Sequence, residues 1–298
     1  MAPSVLLIGA SGTLGVPLVQ EFIRQKSSFS RVAVLASDAS KKVKFAEVEA
    51  AGIQVVVGSY LDVSSYKGFD TVVSLVGNAL LKLQPAMIDQ AIAAGVTQFY
   101  PSEYGADLTQ KQFFAHRYFR SKLETRAHLV RRAKENPNFK YTLFMNGFFT
   151  EFAAYFVDAQ KKVVTAYGSP EALTSLTSIK DITRMVVQSL LLPYMTGQKR
   201  EIHVSGSWQT FKELMDTLAR VQGVSYSYEF RDPAEMLEKQ IEAWLQDDED
   251  KEYQWALMTL AASGGAKVSE KVDNELFGFV PETVGETFVQ LFAKQAAE

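Results

Sequence analysis

Eleven residues near the start of the chain, Val5-Leu6-Leu7-Ile8-Gly9-Ala10-Ser11-Gly12-Thr13-Leu14-Gly15, restrict the fold more than any others. A short apolar run suited to a buried strand breaks into glycines at 9, 12 and 15, and a helical pattern follows with Leu18, Val19, Phe22 and Ile23 on one face. This is a strand, a tight turn and a helix start. The first glycine permits the turn, the second lets backbone approach a pyrophosphate, and the third lets the helix pack closely on the strand. Free N–H groups and the positive end of the helix dipole then favour a phosphate. Gly9, Ser11, Gly12, Thr13, Leu14 and Gly15 are therefore candidate cofactor contacts. The alternative is a tight βα turn that binds nothing.

The rest of the composition is compatible with a nucleotide-binding enzyme. With 298 residues, 47% hydrophobic and 22% charged, the chain can bury a full core. A net charge of −3 without a long basic run argues against nucleic acid as the main partner. Cysteine is absent, which removes disulfides, thiolate metal sites and cysteine nucleophiles. His116, His128 and His203 lack metal-ligand spacing. The first strand starts almost at Met1 and no apolar run reaches the ~20 residues of a membrane span, so the expectation is a cytoplasmic protein with no membrane partner.

Strand and helix patterns alternate. Strands are predicted at 32–35, 53–57, 71–76, 98–100 and 141–145, with helices near 41–51, 83–94 and 114–134 between them. Repeated βαβ units with short apolar strands predict an α/β fold, a Rossmann-type doubly wound parallel sheet. Ligands of such sheets lie outside the carboxyl ends of the strands. That draws together the Gly9 turn, the segment after Ala36, Val76 with Gly77, Pro101 to Tyr104, and Asn146 to Phe149. Residues 1–150 are expected to form the dinucleotide-binding domain, and 151–298 a smaller α/β substrate lobe interleaved with late sheet elements. In that lobe the run Gln246-Asp247-Asp248-Glu249-Asp250 reads as a solvated loop, and Asp181 as the cap of a helix over 182–192.

Tyr118 and Lys122 stand four apart on a predicted helix and share a face. An ammonium beside a phenol favours the phenolate, and the same lysine can hold a ribose. A Tyr-x-x-x-Lys pair after such a core suits protonation of a carbonyl oxygen during hydride transfer, with Ser102 placed to orient that oxygen. The alternative is a packed tyrosine under a solvated lysine. His116 falls on another side of the helix. Phe148 and Phe149 follow the sixth strand, where one could pack on a nicotinamide ring, and Asn146 could hydrogen-bond substrate or hold a turn. Tyr155, Phe156, Trp208 and Trp244 could line an aromatic pocket or belong to the core.

Gly9-Ala10-Ser11-Gly12-Thr13-Leu14-Gly15, Ala94-Gly95-Val96, Phe99-Tyr100-Pro101-Ser102-Glu103-Tyr104-Gly105, Lys122 and Asn146-Gly147-Phe148-Phe149 resemble the NmrA-like family, a branch of atypical short-chain dehydrogenases that includes isoflavone and phenylcoumaran benzylic ether reductases. Ser178-Ile179-Lys180-Asp181-Ile182 and Phe277-Gly278-Phe279-Val280-Pro281 resemble its later segments, so the likeness covers nearly the whole chain. The resemblance implies that Lys122 is the catalytic acid/base. Regulatory members of the family bind dinucleotide but lack this lysine.

Two positions depart from the family. The reductases usually have no tyrosine four residues before the lysine, so Tyr118 either shares the proton transfer or lines the pocket. The family often has an arginine near the adenine and 2′-phosphate at the end of the second strand. Here Ser37 and Asp38 stand there, with Lys41 and Lys42 on the next turn to supply positive charge. The reading is an NADPH-dependent reductase of a small aromatic or polyketide-like metabolite, monomeric or homodimeric. Its rivals are a dinucleotide-sensing regulator and a non-redox isomerase or dehydratase using the same pocket.

Overall fold

The computed structural model describes residues 2–109, 113, 117–193 and 197–295. Along the chain, β1 (Ser4–Ile8) leads through the glycine turn into α1 (Gly15–Arg24). Then come β2 (Arg31–Ala36), the short helices α2 (Ala39–Lys42) and α3 (Ala46–Ala50), and β3 (Gln54–Val57). Next are β4 (Thr71–Ser74), α4 (Asn78–Leu81), α5 (Gln84–Ala93), β5 (Gln98–Tyr100), α6 (Arg117–Glu135) and β6 (Lys140–Met145). The chain continues through β7 (Phe148–Phe149), β8 (Val157–Asp158), β9 (Val163–Tyr167) and β10 (Leu173–Thr177) to α7 (Ile179–Ser189). The last elements are β11 (Lys199–His203), β12 (Ser207–Thr210), α8 (Phe211–Gln222), β13 (Ser227–Arg231), α9 (Pro233–Leu245), α10 (Glu249–Ala262) and α11 (Val284–Gln295).

Among the described residues, seven strands form one sheet in the order β11-β6-β5-β4-β1-β2-β3. The pairs β1–β2, β1–β4, β2–β3, β4–β5 and β5–β6 are all parallel. The order reverses at β1, since β2 lies on one side and β4 on the other, and this is the switch point where such sheets open a crevice. The central strands are apolar and buried, with Leu6, Leu7, Val34, Val72, Val73 and Phe99 all inside, whereas the edge strands β3 and β11 are partly exposed.

The chain divides into two compact units that interleave along the sequence. One holds 1–103, 120–144 and 183–202; the other holds 104–119, 145–182 and 203–298. A single boundary at residue 150 does not describe them, because the edge strand β11 belongs largely to the first unit. In that unit Arg200 donates to the Tyr100 hydroxyl, and Gln198 Nε2 donates to the Ala133, Asn136 and Phe139 carbonyls at 2.7, 2.9 and 2.7 Å. The late strand thereby satisfies backbone carbonyls at the end of α6.

Three local expectations change. The predicted helix at 41–51 is broken into α2, a 3₁₀ turn at 43–45 and α3, as Phe45 turns inward to be buried. The acidic run is only partly a loop. Glu249 and Asp250 open α10, and the Asp248 carboxylate caps it by accepting from the Lys251 N–H at 3.0 Å, an arrangement the helix dipole favours. The helix expected at 182–192 begins at Ile179, so Asp181 lies in its first turn and is not the cap. The Ser178 hydroxyl accepts from the Asp181 N–H at 3.1 Å, while the Asp181 carboxylate accepts from the distant Glu282 N–H at 2.7 Å.

Candidate functional site

The glycine turn sits where β1 ends, and each glycine has its own reason. Gly9 has φ +79°, and a Cβ there would lie 2.6 Å from the Leu75 carbonyl carbon. A Cβ on Gly15 would lie 2.6 Å from the Ala10 carbonyl carbon. Gly12 differs, because a Cβ would meet only the Gly9 oxygen at 3.5 Å. The chain's own packing does not require glycine at 12, so the space over it is a cradle that a side chain would fill. Ser11, Gly12 and Thr13 are exposed, and Leu14 precedes α1 without a side-chain cap. Within α1 the Val16 N–H donates to the Gly12 carbonyl and the Leu18 N–H to the Leu14 carbonyl, both at 3.1 Å, and Pro17 has no N–H, so a phosphate would be met by the exposed turn and the helix dipole.

Beyond β2, Lys41 Nζ donates to the Ser37 hydroxyl at 3.1 Å and lies 3.6 Å from an Asp38 oxygen. Asp38 caps α2, accepting from the Lys41 N–H at 3.1 Å and from the Ser40 hydroxyl at 2.5 Å. The Ser40 bond is the main cause holding this carboxyl below its usual range. The two lysines separate. Lys42 pairs with Glu49 at 3.1 Å, which draws it away from the Ser37 cluster. Burial raises the Tyr60 phenol, and the Ser37 side chain near it opposes the shift. The sequence reading passed over Tyr60, although an aromatic residue just after β3 was the available signal.

At the ends of β4 and β5, Ser102 departs from its expected role. Its hydroxyl donates to the Val76 carbonyl at 2.9 Å, and its N–H donates to Gln84 Oε1 at 2.8 Å. The same Gln84 oxygen accepts from the Ser74 hydroxyl at 2.9 Å. The Ser102 proton is thus directed to the protein backbone. Gly77 has no atom within 4 Å of where a Cβ would stand, so the space beside it after β4 is open.

Lys122 lies on the buried stripe of α6 with Phe119, Leu129 and Ala133, at helical spacing. It is 7% exposed, and its Nζ donates to the Glu103 main-chain carbonyl at 2.6 Å. Burial pushes the ammonium down to about 8; the Glu103 charge opposes this and the Arg126 charge adds to it. Arg126, one turn further along, holds the Glu103 carboxylate with both arms, 2.9 Å from Nε and 2.8 Å from a terminal nitrogen. The Tyr118 backbone is in α6, but its side chain lies outside the described residues, as does all of His116.

In the second unit, Asn146 is fully buried between the Gly105 carbonyl, which accepts its N–H at 3.0 Å, and the Thr177 hydroxyl, which donates to its carbonyl at 2.7 Å. Its Oδ1 has no hydrogen-bond partner among the described residues. Phe148 is buried against Phe152 and Phe156, with ring centres 6.2 and 6.0 Å away. Phe149 packs on Phe152 at 5.1 Å. The expected aromatic pocket is not enclosed: Tyr155 is 68% and Trp244 51% exposed, while Phe156 is buried against Phe211.

The glycine turn, the open space at Gly12 and Gly77 and a buried lysine at the strand ends fit a dinucleotide. The NmrA-like family model matches residues 1–274. The chain belongs to the NmrA-like family. Among relatives, this family member is 26% identical to oxidoreductase aprR of Aspergillus flavus, over 81% of this chain and 82% of that protein. It is also 26% identical to the isoflavone reductase homolog IRL of Zea mays, over 80% of each. Among solved structures, the leucoanthocyanidin reductase–NADPH complex of Vitis vinifera superposes with a TM-score of 0.76 at 17% identity, over 97% of this chain and 99% of that one. This likeness shows a shared Rossmann-type fold. No described helix is long and apolar enough to cross a membrane.

Proposed function

We propose that this NmrA-like chain is an NADPH-dependent reductase of a small aromatic or polyketide-like metabolite, with Lys122 as its acid/base. The observation that carries this reading is the buried Lys122, whose ammonium is lowered to about 8 beside the strand ends. The reductases named among its relatives and the NADPH complex in its fold neighbour support it. The turn from Gly9 to Gly15 would hold the pyrophosphate, Ser37 and Lys41 the 2′-phosphate, and Val76 and Gly77 the nicotinamide side. Asn146 and Phe148 are kept as cofactor contacts on the family resemblance. The bound cofactor would supply a hydride.

The chain supplies the proton. Near neutral pH Lys122 is mostly protonated, yet it is a stronger acid than an ordinary lysine, which suits proton delivery to a substrate oxygen. Its hydrogen bond to the Glu103 carbonyl fixes the position of Nζ. Ser102 is then a positioning residue that holds the turn after β5 against Val76. Tyr118 stays a candidate partner through its spacing on α6.

The test is NADPH oxidation by the isolated protein with a panel of aromatic enones, ketones and benzylic ethers. Lys122→Ala should lose about 10²–10⁴-fold in turnover while still binding NADPH. Wild-type turnover should fall as pH rises through about 8, as the Lys122 ammonium deprotonates. Full activity in Lys122→Ala overturns the assignment. Dinucleotide binding with no turnover on any substrate points to the regulatory reading, and turnover without reduced cofactor points to the non-redox one.

A further inference from the structure

The Lys122 ammonium, on α6, donates to the Glu103 main-chain carbonyl on the turn after β5 at 2.6 Å, and it feels the Glu103 charge. Left to themselves, opposite charges in a buried setting attract strongly, and a carboxylate partner holds a lysine proton in place. Arg126 intervenes. Its guanidinium takes both Glu103 carboxylate oxygens, at 2.9 and 2.8 Å, in the planar two-point geometry that suits arginine and that no lysine reproduces. The pair is nearly sealed from water, with the side chains 13% and 1% exposed. Lys122 meanwhile donates to the main-chain carbonyl of the same Glu103. One residue thus offers its carboxylate to the arginine and its carbonyl to the lysine.

We propose that Arg126 is a positioning residue for Lys122: by occupying the Glu103 carboxylate it commits that charge to the guanidinium and directs the Lys122 ammonium to the Glu103 carbonyl, keeping its proton transferable. The charged groups acting on this cluster support the reading. Burial lowers Lys122, Glu103 on the turn opposes the shift, and Arg126 on α6 reinforces it. From β6, Tyr141 stands within electrostatic reach of Arg126, and burial raises its phenol, so it is neutral at pH 7. A simple structural clasp between α6 and the turn is the competing explanation. It makes no distinction between losing the arginine and losing the glutamate.

The proposal does make that distinction. Arg126→Gln releases the carboxylate to Lys122 and should raise its pKa by about one unit, slowing acetylation of Lys122 near pH 8 about fivefold. Glu103→Gln removes the carboxylate whose charge opposes the Lys122 shift while leaving the guanidinium, and should move Lys122 the other way. The readout is the pH dependence of Lys122 acetylation in the intact protein, followed by peptide mass spectrometry. It needs neither substrate nor cofactor. Shifts in the same direction, or no shift in either variant, overturn the proposal. If Arg126→Gln alone does not fold, the comparison moves to Glu103→Gln against the double variant Glu103→Gln/Arg126→Gln, which removes both members of the buried Glu103–Arg126 pair. Removing the guanidinium must then raise Lys122, and an unchanged or lowered value overturns the proposal.

The catalytic meaning of this arrangement rests on Lys122 being the proton carrier. The two readings fail separately: full turnover in Lys122→Ala sinks the function and leaves the labelling result standing. Where turnover is measurable, Arg126→Gln should lower kcat at pH 7, move the alkaline limb to higher pH and leave KM for NADPH nearly unchanged.

Discussion

The Ser102 hydroxyl donates to the Val76 carbonyl at 2.9 Å, tying the turn after β5 to the turn after β4. Gln84 reinforces the tie by accepting from both the Ser102 N–H and the Ser74 hydroxyl. Ser102→Ala removes one hydrogen bond and should cost about 1 kcal/mol. Gln84→Leu strands two buried donors and should cost more, about 1–3 kcal/mol for each. Urea unfolding measures both. If Ser102 instead orients a substrate oxygen, Ser102→Ala will cut kcat with stability unchanged.

Gly9 and Gly12 should respond oppositely to a side chain. At Gly9 a Cβ would lie 2.6 Å from Leu75 on a backbone with φ +79°, so Gly9→Val should unfold the protein or leave it poorly folded. At Gly12 the nearest atom is 3.5 Å away, so Gly12→Val should fold normally and lose dinucleotide binding. Circular dichroism and a fluorescence titration with NADPH separate the two effects. Unchanged NADPH affinity in folded Gly12→Val would remove the turn from the cofactor site.

Lys41 and Lys42 should also part company. Lys41 is bonded to Ser37, whereas Lys42 is paired with Glu49. Lys41→Ala should erode a preference for NADPH over NADH of about 10-fold, the scale expected of one exposed charge. Lys42→Ala should leave the preference in place. Paired Kd measurements with both cofactors decide this, and equal effects at the two lysines would refute it.

Glu151 offers a pH test in the second unit. Its carboxylate accepts from the Ile179 N–H at 2.9 Å. Burial first, with the nearby Glu282 and Asp181 charges, raises it from 4.5 to about 7. A raised folded-state value means its contribution is fully present below about 4.5 and is lost as pH climbs through about 7. Glu151→Gln keeps an acceptor and removes the charge. Its melting temperature should match the wild type near pH 4 and exceed it by about 5 °C or more at pH 8. A lower melting temperature at pH 8 would show that the ionised carboxylate is stabilising.

Near neighbours in the chain determined much of this protein. The turn from Gly9 to Gly15 follows from glycine spacing behind an apolar strand, and α8 starts and stops where local residues dictate, because Thr210 and Glu213 form a capping box and Gly223 ends the helix left-handed. The six early strands were legible for the same reason: a buried parallel strand is a short apolar run bounded by turns. Lys122 was reachable by its spacing from Tyr118 and by family resemblance. Only the tertiary structure decided how these pieces act on one another. Ser102 meets Val76 across 26 residues, Arg126 meets Glu103 across 23, and Asp181 meets Glu282 across 101. Such pairs leave no periodic trace in the sequence, because burial and geometry choose the partner after the chain has folded. Folding brought the Ser102 hydroxyl to the Val76 carbonyl and the Arg126 guanidinium to the carboxylate of Glu103.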